Sequence, residues 1–201
     1  MTPDRQIRAT FTDNTITVYQ AYPREIAEPA VVAGRFLAPF KRDRMTWIKP
    51  SFLWMAYRCG WAKKPGQERV LAIDISRSGF EWALTNPCLS HFEVGTYASQ
   101  DAWAEQMSTS PVRIQWDPER GELHRPLAHR SIQIGLTGDA ARRYVDEWTT
   151  AIVDATDLFR QVGAEVRSGS LAEARAMMPT ERPYPLSSKL VGAIGASLVP
   201  R

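Results

Sequence analysis

The chain has few of the features that mark exported or membrane proteins. Its 201 residues include two cysteines, Cys59 and Cys88, too few for the disulfide framework of a small secreted domain. No apolar run approaches the roughly 20 residues of a membrane-spanning helix. No apolar segment of the kind found in export signals follows the N-terminus. We therefore expect a soluble, cytoplasmic protein without a membrane partner.

The sequence also lacks the motifs of several enzyme classes. Neither standard glycine-rich phosphate loop is present, and there is no serine elbow of the hydrolase type. Cys88 and His91 have the spacing of two metal ligands, but Cys59, His124 and His129 add no further motif. Buried cysteines and surface histidines are the simpler interpretation, and we predict no metal site.

The basic residues, in contrast, are concentrated in one segment. Lys and Arg number 25 against 22 Asp and Glu, which gives a formal net charge of +3. Residues 41–64 contain seven of the basic residues and a single acidic one, Asp43, so the rest of the chain is weakly acidic. A local positive field of this kind attracts anionic ligands such as nucleotides or nucleic acids.

Alternation of apolar and polar residues predicts several strands. Residues 5–11 and 15–20 alternate on either side of turn residues 12–14, a pattern typical of a β-hairpin. Further strands are predicted at 69–76, 112–117 and 130–136. The first of these has an apolar run that indicates burial on both faces. The second is expected to end in a turn at 117–121.

Periodicity of three to four residues predicts the helices. Shorter helices are predicted at 24–37, 51–59, 79–84, after Ser99, and 171–177. The clearest pattern begins at Thr137 and ends at Gly163, with apolar residues at steps of three and four. We predict that this long helix is the main helix of the core.

This arrangement predicts an α+β fold with mixed or antiparallel sheets and packed helices. A doubly wound sheet is disfavoured, because crossover helices do not regularly follow the strands. We predict one α+β domain over residues 1–178 and a C-terminal tail over 179–201 that docks on it.

The second predicted helix combines aromatic and basic side chains. If residues 50–60 are helical, Trp54, Tyr57, Arg58 and Trp61 are spaced at i, i+3, i+4 and i+7 and fall on one face. Rings stack on bases while cations neutralise phosphates, so this face suits a nucleotide or a single-stranded nucleic acid. The alternative is a Trp-rich amphipathic helix packed into the core.

The start of the same helix is a second candidate for binding an anion. Ser51 and the free amides of the first turn are donors, and Lys49 lies beside them. Trp47, just before, could stack on a ring. Polar faces of the alternating strands add Arg8, Tyr19 and Gln133 as candidates for a ligand cleft. The alternative is that these faces simply meet solvent.

Four blocks of the sequence together resemble one family. They are residues 5–9 (RQIRA), 15–22 (TITVYQAY), 45–55 (MTWIKPSFLWM) and 130–136 (RSIQIGL). The chain is similar over nearly its whole length to the bacterial and fungal family called domain of unknown function 4291. The resemblance implies a single-domain intracellular protein in which these blocks form the site, and it brings no established activity.

A more distant likeness links the chain to the ADP-ribosyltransferase superfamily, whose members hold NAD between two small sheets. It implies an ADP-ribosyltransferase-like fold. Arg8 or the strand of Tyr19 and Tyr22 would take the role of the early-strand Arg or His, and Ser51 that of the mid-chain Ser or Tyr. The late strand, however, carries Gln133 in place of Glu. Without that carboxylate, the likeness favours nucleotide binding over catalysis.

We therefore expect a nucleotide-binding protein, with NAD as cofactor and ADP-ribosyl transfer to a nucleotide or nucleic acid as the specific enzyme hypothesis. The catalytic candidates are Arg8, Ser51 and Gln133. The ligand-binding candidates are Tyr19, Tyr22, Trp47, Lys49, Trp54 and Arg58. The alternatives are a single-stranded nucleic-acid binding module without catalysis and a protein-interaction domain. The sequence does not determine the oligomeric state.

Overall fold

Strands and helices follow one another irregularly along the chain. The computed structural model describes residues 2–197. The strands are β1 (Arg8–Ala9), β2 (Thr15–Tyr22), β3 (Thr46–Ile48), β4 (Arg69–Ser76), β5 (Pro87–Leu89), β6 (Val112–Arg120), β7 (Pro126–Leu136), β8 (Thr149–Asp154) and β9 (Arg182–Pro183). The helices are α1 (Arg24–Ala33), α2 (Phe52–Cys59), α3 (Arg77–Thr85), α4 (Gln100–Thr109), α5 (Gly138–Arg143), α6 (Thr156–Ser168), α7 (Leu171–Met177) and α8 (Ser188–Ala193). A π-helical turn, Tyr144–Trp148, continues α5.

The strands form three sheets. Their orders are β2-β4-β8, β3-β7-β6-β5 and β1-β9. Every pairing is antiparallel except β5 with β6, which is parallel. A single bridge between Tyr19 and Lys49 joins the end of β3 to β2, with the Tyr19 amide donating to the Lys49 carbonyl over 2.7 Å. The predicted α+β class with mixed and antiparallel sheets is confirmed.

One face of the three-stranded sheet is buried, and the other is covered only at the end that carries Val70 and Ala72. Leu71, Ile73 and Ile75 of β4 contribute to the larger core, which also includes the apolar face of the four-stranded sheet. Val70 belongs to a second core formed with α2 and α6. The predicted burial of β4 on both faces therefore holds only at its start, because Asp74 and Ser76 on the second face remain partly exposed.

The predicted hairpin between 5–11 and 15–20 is found only at its turn, where the Thr17 amide donates to the Thr10 carbonyl and the Thr12 amide to the Thr15 carbonyl, each over 2.9 Å. β2 pairs along all its eight residues with β4, while β1 is two residues long and pairs with the C-terminal β9. One isolated bridge, Phe11 to Ile16, connects the two segments. Alternation assigns side chains to faces but does not specify the partner strand, and β4 offers a longer apolar surface to β2.

The predicted long helix over 137–163 is also wrong. The chain forms α5 and the π-helical turn, then the strand β8, and then α6. Residues 149–153 include Thr149, Ile152 and Val153, whose β-branched side chains favour a strand, and β8 completes the edge of β4. The apolar spacing belongs to two amphipathic helices separated by this strand.

Gly163 does not end a helix as predicted, because α6 continues to Ser168. A Cβ on Gly163 would lie 2.6 Å from the Trp61 ring, so this glycine allows the indole to pack directly on the helix backbone. Gly169, in the left-handed conformation, ends the helix instead.

Several other element bounds differ from the predicted ones, and others agree. α1 ends at Ala33 instead of at 37, residues 46–48 form the strand β3, and β6 continues through the predicted turn at Pro118 with a register shift. The predicted helices at 51–59 and 171–177 agree with α2 and α7, and Ser99 caps α4.

The C-terminal segment packs on the rest of the chain. The Tyr184 amide donates to the Ile7 carbonyl, and Ile194 is fully buried in the larger core. Residues 198–201 of the predicted tail lie outside the described residues. Within residues 2–197, no helix is both long and apolar enough to cross a membrane.

Candidate functional site

A cavity of about 480 Å³ opens between the end of β2, the loop before β3, and α2. Its polar and aromatic lining is formed by Gln20, Tyr22, Phe40, Lys41, Arg44, Thr46, Trp47, Lys49, Arg58 and Gln67. Four of these side chains are cationic, and none of the described residues that line the cavity is acidic. An enclosed surface with charge of one sign concentrates ions of the opposite sign. The cavity is therefore electrostatically suited to an anion.

Lys49 is the most deeply placed of the four cations. Its side chain is 7% exposed, its Nζ donates to the Trp47 carbonyl over 3.2 Å, and it lies 5.5 Å from the centre of the Trp54 ring. Within the described part of the chain it forms no salt bridge. Burial, reinforced by Arg58 and opposed by Asp117, lowers the pKa of Lys49 to about 7.

A chain of hydrogen bonds supports the cavity wall behind Lys49. The Gln20 amide donates to the Thr46 hydroxyl over 2.6 Å and to the Trp47 carbonyl over 3.0 Å. The buried Tyr144 hydroxyl donates to Gln20 Oε1 over 2.7 Å, and the Tyr22 hydroxyl lies 3.3 Å from that of Thr46. Burial raises the pKa of Tyr22, which keeps its hydroxyl protonated. The Trp47 carbonyl thus accepts from both Lys49 and Gln20.

Trp47 has one face supported by the sheet. It is opposite Gly135 in the β3–β7 register, and a Cβ on Gly135 would lie 2.8 Å from Met45 Sδ and 3.0 Å from the Trp47 ring. The glycine lets both side chains lie close to the strand. Because Trp47 remains partly exposed in the cavity wall, its ring can contact a ligand.

A cluster of two acids lies at the other side of residues 49–52, at the start of α2. Glu181 Oε1 accepts from the Phe52 amide over 2.6 Å. The buried carboxyl of Glu119 accepts from the Arg120 amide over 2.8 Å, and the side chains of Ser51 and Ser131 lie near it. Burial and the neighbouring Glu119 raise the pKa of Glu181 to about 8, and burial raises the pKa of Glu119.

Three further polar residues are bound by neighbouring groups in the fold. Arg8 donates to the backbone carbonyl of Glu181 over 2.9 Å. Gln133 and Gln115 donate to the two oxygens of Asp117 over 2.7 and 2.9 Å. Within residues 2–197, no group of three or more His, Cys, Asp or Glu side chains is placed to hold a metal ion.

Comparison with known families decides what the chain is. The sequence profile of the family described as Domain of unknown function (DUF4291) matches residues 6–184, most of the chain. The chain belongs to the DUF4291 family. No curated protein matches it.

In this DUF4291 protein, the structure brings four of the nine predicted site residues to one cavity. Tyr22, Trp47, Lys49 and Arg58 line it. Trp54 lies beside Lys49 but is 7% exposed, and Trp61 is 6% exposed, so their indoles pack in the interior instead of forming an open stacking face.

The other four predicted residues lie outside the lining of the cavity. Arg8 and Ser51 belong to the acidic cluster, where Ser51 also caps α2 by accepting from the Trp54 amide. The Tyr19 ring packs between Phe52 and Phe159 in the second core. Gln133 contacts Asp117 on the polar face of the four-stranded sheet.

Sequence reasoning missed several residues of this DUF4291 site. Nothing in the sequence around Gln20 or Thr46 marked either residue as part of a site, although both lie in the blocks that resemble the family. Glu181 lay in the predicted tail, and Glu119 in a predicted turn. No local pattern indicates that these two acids meet at α2, because 62 positions separate them in the chain.

Proposed function

We propose that this protein binds a nucleotide-type ligand, one that carries phosphate and a flat ring, in the cavity lined by Lys49. The observation that carries the proposal is the lining of this cavity. It contains four cations and three aromatic rings, and no acidic side chain among its described residues. Cations that lack carboxylate partners retain their capacity to bind an external anion.

The positions of the lining residues divide the work of binding. Lys41, Arg44 and Arg58 are exposed at the cavity wall, where Arg in particular can bind phosphate oxygens bidentately. The rings of Trp47 and Phe40 are partly exposed and suit stacking on a base or a pyridine ring. A volume of about 480 Å³ lies within the range of small-molecule sites.

Isothermal titration with NAD and with nucleoside mono- and diphosphates tests this proposal. We expect binding that weakens about tenfold in Arg44→Ala and in Arg58→Ala, as loss of one charge-assisted contact predicts. Lys63→Ala is the matched control, since Lys63 is an exposed cation of the same basic segment that does not line the cavity. Absence of binding at millimolar ligand overturns the proposal.

A single-stranded oligonucleotide in the same titration separates a nucleotide site from a nucleic-acid surface. Binding to an extended surface depends steeply on salt and on Lys63 and Lys64 as well as on the cavity. A site for one nucleotide depends on Arg44 and Arg58 and is indifferent to Lys63→Ala.

ADP-ribosyl transfer from NAD is a second candidate, supported by the contact between Glu119 and Ser51. Glu119 supplies a carboxylate beside Ser51, whereas Gln133 of the late strand has no carboxylate to supply. Both residues are buried, so a sugar reaches them only if neighbouring residues move. Transfer of label from NAD to protein or nucleic acid, lost in Glu119→Gln and retained in Glu173→Gln, is the expected result. Equal transfer by both variants would remove Glu119 from the reaction.

A further inference from the structure

We propose that the Lys49 amine forms a Schiff base with an aldehyde or ketone that carries a phosphate group. The inference rests on the proposed binding of an anionic ligand in this cavity and adds a covalent step to it. A primary amine becomes a nucleophile when it is desolvated or lies near a second cation, and Lys49 satisfies both conditions.

The hydrogen bonding of the Lys49 amine supports the proposed reaction. Nζ donates one hydrogen to the Trp47 carbonyl over 3.2 Å, and it has no carboxylate partner in a salt bridge among the described residues. A neutral amine that donates to a carbonyl keeps its lone pair directed away from that oxygen. A buried lysine with a structural role would instead need an acid beside it.

Hydroxyl groups that can donate protons line the same cavity as the Lys49 amine. The Trp47 carbonyl that accepts from Lys49 also accepts from Gln20, and Gln20 leads to the hydroxyls of Thr46 and Tyr22. Tyr22 and Thr46 line the same cavity. Loss of the carbinolamine oxygen as water requires protons, and protonated hydroxyls in the cavity can relay them.

The cations of the cavity favour a substrate that carries a phosphate group. Arg44, Lys41 and Arg58 attract the phosphate to the cavity, so the carbonyl compound arrives with its charge at the wall and its reactive carbon free for the amine. The lone pair of Nζ attacks that carbon, the carbon–oxygen double bond breaks, and a carbon–nitrogen double bond forms. Both amine hydrogens depart with the oxygen as one water molecule, and no redox partner is needed.

Pyridoxal phosphate, an aldehyde with one phosphate and one ring, is a suitable probe. The full chain is incubated with it at pH 7, reduced with borohydride at timed intervals, and mapped by peptide mass spectrometry. The five lysines are Lys41, Lys49, Lys63, Lys64 and Lys189, and the exposed Lys63 is an internal control. We expect Lys49 to be labelled at least tenfold faster than Lys63, because the pKa of Lys49 near 7 leaves much of its amine neutral.

Two further measurements keep the outcomes distinct. Labelling at Lys49 should slow about tenfold in Arg44→Ala and be unchanged in Arg42→Ala, since Arg42 does not line the cavity. Pyridoxine phosphate, which lacks the carbonyl, should bind and protect Lys49. If it binds but Lys49 is labelled no faster than Lys63, the Schiff base is wrong and the binding site stands. If it neither binds nor protects, the proposed function fails as well.

Discussion

Lys49 and Phe52 are three residues apart, yet they belong to regions of opposite character. On the side of Lys49, four cations line a cavity that contains no acid among its described lining residues. On the side of Phe52, two acids, Glu119 and Glu181, lie at the start of α2. Both regions bury titratable groups, and burial favours the neutral form in each: it lowers the pKa of Lys49 and raises the pKa of Glu181.

The difference is in how the two regions satisfy their polar atoms. Each acid accepts a hydrogen bond from a backbone amide, Glu181 from Phe52 and Glu119 from Arg120, and the side chains of Ser51 and Ser131 lie near Glu119. Lys49 has one carbonyl acceptor and an adjoining cavity. A group whose partners are internal stabilises the fold, whereas a group without them is available to a ligand.

The largest expected effect is in the acidic cluster. Glu119→Ala removes the acceptor of the Arg120 amide and leaves a cavity beside Ser51 and Ser131, so the free energy of unfolding should fall by about 3 kcal/mol. Urea denaturation measures it, with exposed Glu173→Ala as control. A loss equal to that of the control would contradict the structural role of Glu119.

On the side of the cavity, Lys49→Met should have the opposite sign. The pKa of Lys49 is about 7 in the folded state, against an ordinary value of 10.5 that we take for the unfolded chain. The buried charge therefore destabilises the fold fully below pH 7, and this destabilisation decreases as the pH rises to 10.5. At pH 6 the variant should gain about 2 kcal/mol of unfolding free energy. The gain should shrink at pH 9. Destabilisation at pH 6 would show that Lys49 has a structural role.

A smaller effect is expected for Glu181→Gln. The pKa of Glu181 is about 8 in the folded state against 4.5 by reference, so the folded state binds more protons between these values. The wild-type chain should lose stability relative to the variant, by about 1 kcal/mol, as the pH rises from 5 to 8. Thermal denaturation across this range measures the change. Parallel pH profiles of the two proteins would contradict the pKa shift.

The smallest expected effect is on ligand binding. Gly135→Ala places a methyl group against Met45 and Trp47, and the displaced Trp47 ring should weaken nucleotide binding about threefold. Gly192→Ala is the control, because a Cβ there meets no atom within 4 Å. Unchanged binding in Gly135→Ala would remove the Trp47 ring from the binding site.

Local patterns predicted the elements whose ends carry their own signals. α2 occupies Phe52–Cys59, within the predicted range of 51–59, and the Ser51 cap and the left-handed Gly60 are the local signals at its two ends. β4 occupies the predicted residues 69–76. The long helix over 137–163 failed, because spacing at three and four residues is common to two helices separated by a strand. The predicted hairpin is present only at its turn, because alternation does not specify a partner strand.

The sequence by itself determined the α+β class, the family, and the concentration of cations and rings around Lys49. Only the tertiary structure decided that Trp54 and Trp61 pack inside while Trp47 remains at a cavity, and that Glu119 and Glu181 meet at one helix end. The physical reason is distance along the chain. Short-range sterics and capping act between neighbours, whereas burial and the pairing of charges depend on which remote segments the fold brings into contact.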